Sequence, residues 1–81
     1  MSNSTVKAFM TRLYRSSIHC DTKAATSTLD ALMRAHQAFY AHSNSGNAKA
    51  AYDAWKNVEM LAYEVEQLVL GGVIELYEGD E

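Results

Sequence analysis

The C-terminal half of the chain carries an apolar seam whose members are spaced alternately three and four residues apart. Neither Pro nor Gly falls within it. This spacing keeps apolar side chains on one face of an α-helix and is typical of helices that pack lengthwise against a neighbour. The seam therefore predicts a long helix whose role is association. Its members are Ala48, Ala51, Trp55, Val58, Ala62, Val65 and Val69.

The apolar arc of this helix is wider than the seam. At about 100° per residue the seam occupies a band of about 100°, and apolar residues extend it on both sides to more than half of the circumference. One neighbouring helix cannot cover such an arc. We therefore expect coverage from two sides, by two other helices of the chain or by a second molecule. The flanking residues are Ala54, Leu61 and Leu68 on one side, and Tyr52, Tyr63 and Leu70 on the other.

The rest of the chain also has a helical pattern. The first 45 residues contain neither Pro nor Gly, and apolar residues recur there at helical spacing. We expect helices at about residues 4–19, 22–42 and 47–70. A Ser/Thr-rich stretch predicts the first break, with one continuous helix over residues 4–42 as the alternative. Asp21 or Thr22 is a suitable N-cap for the second helix, and Ser27-Thr28-Leu29-Asp30 is a capping-box variant that would start it later.

The connection between the second and third helices is short and polar. It contains Gly46, and Ser45 or Asn47 is a suitable N-cap for the third helix. Because so short a loop joins antiparallel neighbours, helices 2 and 3 should form a hairpin. The third helix should end at Gly71-Gly72. The tail, residues 71–81, is compatible with a short strand, a last helical turn or an arm that orders on a partner.

These features predict an all-α fold. With 81 residues the chain has room for one domain, residues 1–81, but not for two. The predicted architecture is a small three-helix bundle with a helix 2–helix 3 antiparallel hairpin and a short acidic C-terminal tail. A core of this size gives only marginal stability without a covalent cross-link or a partner. The single cysteine, Cys20, cannot form an internal disulfide.

The compartment prediction follows from the same features. A lone thiol fits a reducing compartment, the first twenty residues lack the continuous apolar block of a signal peptide, and the longest apolar run, residues 68–74, is too short to span a bilayer. We therefore expect a cytoplasmic protein with no membrane partner.

The sequence offers little for catalysis or metal binding. His19, Cys20 and Asp21 are consecutive, and neighbouring residues of a helix point in different directions, so these three should not share an ion. The standard zinc spacings do not occur. Cys20 would become a nucleophile only with a lowered pKa and a positioned base. His36 lies within the apolar series of helix 2 and is expected to be a hydrogen-bonded core or interface histidine; a pH-sensitive contact, or a ligand or catalytic role, is the alternative. We predict no enzymatic activity, no catalytic residue, no metal site and no cofactor.

Charge is unevenly distributed. Residues 1–42 carry five basic and two acidic residues, whereas residues 43–81 carry two basic and eight acidic residues. Lys7, Arg12 and Arg15 lie on the polar side of helix 1 and are candidate phosphate contacts. The acidic helix 3 and tail have the opposite potential, and such a surface can imitate a nucleic acid. A nucleic-acid-associated regulator and an acidic nucleic-acid-mimicking inhibitor are therefore the alternative hypotheses.

The main prediction is a small, acidic, non-enzymatic protein-interaction module. It would act as an adaptor or inhibitor by binding another macromolecule, or as a homodimer, because its apolar surface exceeds what one small fold comfortably buries. Aromatic residues dominate such surfaces since they bury large area at low entropic cost. The predicted partner-binding residues are Tyr52, Trp55, Glu59, Tyr63, Glu66, Leu70 and Tyr77.

Overall fold

The computed structural model describes residues 2–79 and contains three helices and a two-stranded antiparallel sheet. The order along the chain is α1 (Asn3–Tyr14), β1 (Ser16–Cys20), α2 (Lys23–Asn44), α3 (Ala48–Leu70) and β2 (Ile74–Glu78). The chain is mostly helical, as predicted, but it is not purely all-α. The helices, which supply most of the core, are held at one end by the small sheet.

The α2–α3 hairpin is confirmed, and its bounds agree with the predicted ones to within two residues. The side chain of Asn47 accepts a hydrogen bond from the Ala50 amide and begins α3. Gly46 has a φ of 79°, and the Asn47 amide donates to the His42 carbonyl at 2.9 Å. This pattern is the Schellman motif, which needs a residue without Cβ strain at the left-handed position. The turn therefore ends α2 and reverses the chain within a few residues.

A second Schellman motif ends α3. Gly72 has a φ of 79°, and the Val73 amide donates to the Leu68 carbonyl at 2.9 Å. The chain then leaves the helix axis and enters β2, so the predicted stop at Gly71-Gly72 is confirmed. Of the options for the tail, residues 74–78 adopt the strand. Asp80 and Glu81, the acidic end of the predicted tail, lie outside the described residues.

The first helix is shorter than predicted. It ends at Tyr14 and not at about residue 19, and residues 16–20 form β1. The apolar helical series already ends at Tyr14, and the next residues alternate between half-buried and exposed positions, with Ile18 and Cys20 directed inward. Ser, Ile, His and Cys are weaker helix formers than Ala, Leu, Lys or Arg. For these residues, pairing with a second strand is therefore more stabilising than continuing the helix.

The two strands pair segments that are far apart in the chain. Ile18 is opposite Leu76, and Cys20 is opposite Ile74. The Asp21 amide extends the ladder by donating to the Val73 carbonyl at 2.9 Å. The inner face of the sheet packs against the core, and the outer face carries Ser17, His19, Glu75 and Tyr77.

The core lies between α1, the α2–α3 hairpin and the inner face of the sheet. Within this core the buried part of the wide apolar arc of α3 is covered from two sides by the same chain. α2 covers one side of the arc, and α1 with β2 covers another. Ala48, the first residue of the seam, is exposed at the start of α3, and Val69 is half-buried. The buried members of the core cluster are Val6, Phe9, Met10, Leu13, Ala25, Leu32, Ala35, Trp55, Val58, Ala62, Val65 and Ile74.

Candidate interaction surface

Trp55, one of the predicted partner-binding residues, lies in the core. Its side chain is on the same arc of α3 as Val58 and Ala62, and the residue is only 9% exposed. The indole Nε1 donates to the Asn3 Oδ1 atom at 3.0 Å, and the ring centroid lies 4.9 Å from that of Phe39. Trp55 therefore joins α1 to the hairpin and offers almost no surface to another molecule.

The neighbouring arc of α3 is exposed and carries most of the other predicted residues. At 100° per residue, the residues of this arc lie within about 80° of one another around the helix axis. The centre of the arc is about 100° from the middle of the buried arc. Three of them are large and mostly exposed: Tyr52 at 62%, Tyr63 at 55% and Leu70 at 75%. We call this set the outer stripe; it consists of Tyr52, Lys56, Glu59, Tyr63, Glu66 and Leu70.

The charged residues of the outer stripe lie between its apolar members. Lys56 Nζ lies 3.8 Å from the Glu59 carboxylate and 5.6 Å from the centre of the Tyr52 ring. Glu66 is half-buried, and no ion pair to its carboxylate forms within residues 2–79. The stripe thus combines exposed apolar side chains with charged ones, and one of the charged residues, Glu66, has no ion-pair partner in the described part of the chain.

Tyr77 lies elsewhere, on the outer face of the sheet. It is 58% exposed, and its hydroxyl donates to the Glu75 carboxylate at 3.0 Å. This hydrogen bond, followed by the charge of Glu75, raises the pKa of the Tyr77 phenol above its usual value. Because Tyr77 belongs to β2, it is not part of the outer stripe of α3.

The outer face of the sheet brings together three side chains of types that bind metal ions. His19 is directly opposite Glu75 in the strand register, and Asp21 lies two residues beyond His19. One ligand-type atom from each lies within 4.8 Å of the other two, and His19 Nε2 is 3.0 Å from the Asp21 carboxylate. These residues could supply three ligands to a divalent cation, with a hydrogen bond from Tyr77 orienting the Glu75 carboxylate.

The sequence prediction did not anticipate this cluster. Neighbouring residues of a helix point in different directions, but residues 16–20 form a strand, and the strand pairing brings the distant Glu75 beside His19. The intervening Cys20 is half-buried and packs against the core, so it is not part of the cluster. All three side chains of the cluster are exposed.

One of the three candidate phosphate contacts forms an ion pair within the chain. Lys7, Arg12 and Arg15 are all exposed. Arg12 Nε, however, donates to the Glu78 carboxylate at 3.0 Å and joins α1 to β2. A carboxylate so close to the central cation offsets its attraction for a phosphate.

His36 lies at the base of a groove between α1 and α2. The groove has a volume of about 520 Å³ and is lined by Lys7, Met10, Thr11, Tyr14, His36 and Tyr40. The Nδ1 atom of His36 is hydrogen-bonded to the Tyr14 hydroxyl at 3.1 Å, and the Tyr40 ring packs edge-on at a centroid distance of 4.8 Å. Burial lowers the pKa of His36, so the neutral imidazole is favoured. His36 is thus buried and hydrogen-bonded through Nδ1, in agreement with the prediction of a hydrogen-bonded core or interface histidine.

Comparison of the chain with protein-family models, curated protein sequences and solved structures found no match in any of the three. In the described part of the chain, the helices are all too short or too polar to cross a membrane. The structure alone defines the class of this molecule: a small, mostly helical protein with a two-stranded sheet and the outer stripe of α3 on its surface.

Proposed function

We propose that this protein is a non-enzymatic interaction module whose contact surface is the outer stripe of α3. It acts either as an adaptor or inhibitor, by binding another macromolecule through this stripe, or as a homodimer, by binding a second copy of itself. The observation that carries this proposal is the exposure of Tyr52, Tyr63 and Leu70 along one arc of a helix whose buried arc, about 100° away, already packs in the core.

The energetics of burial support this proposal. A fully buried Leu or Phe side chain contributes about 1.5–3 kcal/mol relative to an exposed one, and aromatic residues are enriched among the residues that dominate binding energy. The three large side chains are arranged over 18 residues of helix, or about 27 Å. A partner with a complementary apolar groove or helix would therefore gain contacts along the whole stripe, while the charged residues set orientation and specificity.

The proposal is tested by photo-crosslinking in native cells. A benzophenone amino acid replaces Tyr63, and in a matched control it replaces Tyr40. Both tyrosines are 55% exposed, but Tyr40 lies on α2, outside the outer stripe. We expect protein adducts from position 63 and few from position 40. Tyr52→Ser combined with Leu70→Ser should reduce the adducts at position 63 by about tenfold or more, because it removes two of the three apolar anchors.

Two results would contradict the proposal. One is equal labelling at positions 63 and 40, which would indicate non-specific collision. The other is a set of adducts that does not change when Tyr52 and Leu70 are replaced. Thermal unfolding of each variant provides the folding control, since the replaced side chains are exposed and their loss should leave the core intact.

A further inference from the structure

We infer that the partner of the outer stripe is a second copy of this chain, bound with the two α3 helices antiparallel. This inference rests on the proposed function and specifies the molecule that the interaction surface recognises. It follows from the spacing of the stripe, from the order of its residues and from the Glu66 carboxylate, which has no ion-pair partner within residues 2–79.

The outer stripe has the spacing of a coiled-coil seam. Its residues are separated by four, three, four, three and four positions, so they occupy successive d and a positions of a heptad pattern. The buried seam of α3 is already used within the chain. The helix thus carries two seams about 100° apart, and the second is open to solvent.

The order of residues along the stripe is complementary to itself when reversed. An antiparallel pair with its two-fold axis at the middle of the stripe places Tyr52 opposite Leu70, Lys56 opposite Glu66, and Glu59 opposite Tyr63. Every such pair joins an a position to a d position, as antiparallel packing requires, and each pair occurs twice because the interface is isologous. The pairs are apolar with apolar, cation with anion, and carboxylate with phenol.

A parallel arrangement in register lacks this complementarity. It would place Lys56 beside Lys56 and Glu66 beside Glu66, and like charges at facing positions are destabilising. Antiparallel pairing instead gives the half-buried Glu66 the basic partner that it lacks within residues 2–79. Lys56 would then lie between its own Glu59 and the Glu66 of the second copy.

Because three of the six positions are charged, the pairing should be specific and of moderate strength. Polar residues at a and d positions select register and orientation at a cost in stability. Exposed charge pairs are also screened by salt. We therefore expect a dimer that dissociates on dilution and whose affinity falls as the salt concentration rises.

The test is a charge exchange between two variants, measured by sedimentation equilibrium. Lys56→Glu alone and Glu66→Lys alone each bring like charges together twice per dimer, so each should raise the dissociation constant by about tenfold. An equimolar mixture of the two variants restores both opposite-charge pairs in the heterodimer and should recover affinity close to that of the wild type. Arg34→Glu, which changes the net charge by the same amount as Lys56→Glu but at an exposed position of α2, should leave self-association unchanged.

The outcomes separate this inference from the proposed function. Recovery in the mixture supports the antiparallel dimer. A wild-type chain that stays monomeric at all concentrations, or a dimer equally strong in all variants, overturns it. In that case, stripe-dependent adducts of position 63 with a different protein would leave the proposed function intact, whereas the absence of stripe-dependent adducts would remove both. If Glu66→Lys unfolds the protein, the double variant Tyr52→Ser with Leu70→Ser gives the alternative test. This variant should not dimerise, because it lacks the apolar pair of the interface.

Discussion

At the scale of single residues, His36 shows how a polar group is accommodated in a small core. It is 8% exposed, yet its Nδ1 atom has a hydrogen-bond partner in the Tyr14 hydroxyl, and aromatic rings flank it on α2. Burial disfavours the charged imidazolium and lowers the pKa of His36, while burial and the neighbouring Tyr40 raise the pKa of Tyr14. The imidazole of His36 and the phenol of Tyr14 are thus both favoured in their neutral forms. Lys7 lines the same groove and contributes a positive charge to it.

The lowered pKa of His36 gives the stability of the fold a defined pH dependence. The unfolded chain binds the proton first, at a pKa of about 6.5, so the contribution of neutral His36 is complete above that pH and is lost as the pH falls below it. We expect the free energy of unfolding, measured by urea titration between about pH 5 and 8, to fall on acidification, and His36→Gln to reduce that slope. His19→Gln, at an exposed histidine, is the control. Equal slopes for the wild type and His36→Gln would contradict the prediction.

At the scale of secondary-structure elements, capping residues determine where the helices begin. The side chains of Ser2, Thr22 and Asn47 each accept a hydrogen bond from the backbone amide three residues on, at the start of α1, α2 and α3 respectively. Thr22 and Asn47 were among the candidates predicted from sequence, because a local hydrogen bond depends on residue type and position and hardly on the rest of the fold. The helix ends at Gly46 and Gly72 were predictable for the same reason.

Asn47→Ala should therefore destabilise the protein by about 1 kcal/mol, since it removes the side-chain acceptor at the start of α3. Asn47→Asp should retain most of that stability. The matched control is Asn44→Ala at the exposed end of α2, which we expect to change the free energy of unfolding by less than about 0.5 kcal/mol. Urea denaturation of the four proteins measures these differences, and an equal loss for the two alanine variants would exclude the capping role.

At the scale of the whole molecule, the β1–β2 ladder closes the fold. It joins residues 16–20 to residues 74–78, and the ion pair between Arg12 and Glu78 lies at one end of the ladder. That ion pair is exposed and contributes at most about 1 kcal/mol. The larger contribution comes from the inner face of the sheet, where Ile74 is 1% exposed and belongs to the same cluster as the apolar residues of α1.

Ile74→Ala should consequently destabilise the protein by about 2–5 kcal/mol, because it leaves a cavity in the core. Leu70→Ala, four residues earlier at a position that is 75% exposed, should change stability by less than about 0.5 kcal/mol. Thermal or urea denaturation of the two variants gives the comparison. A similar effect of both substitutions would mean that β2 does not contribute to the core.

The sequence by itself determined the α2–α3 hairpin, the cap candidates and helix stops, and the seam that α3 buries, because periodicity and local hydrogen bonds depend on neighbours a few residues apart. Only the tertiary structure decided that residues 16–20 form a strand, that Trp55 belongs to the core, and that His19, Asp21 and Glu75 lie together. Each of these outcomes depends on pairing between segments far apart in the chain. The wide apolar arc of α3 is likewise divided only by the fold, in which α2, α1 and β2 cover the seam and leave the outer stripe to solvent.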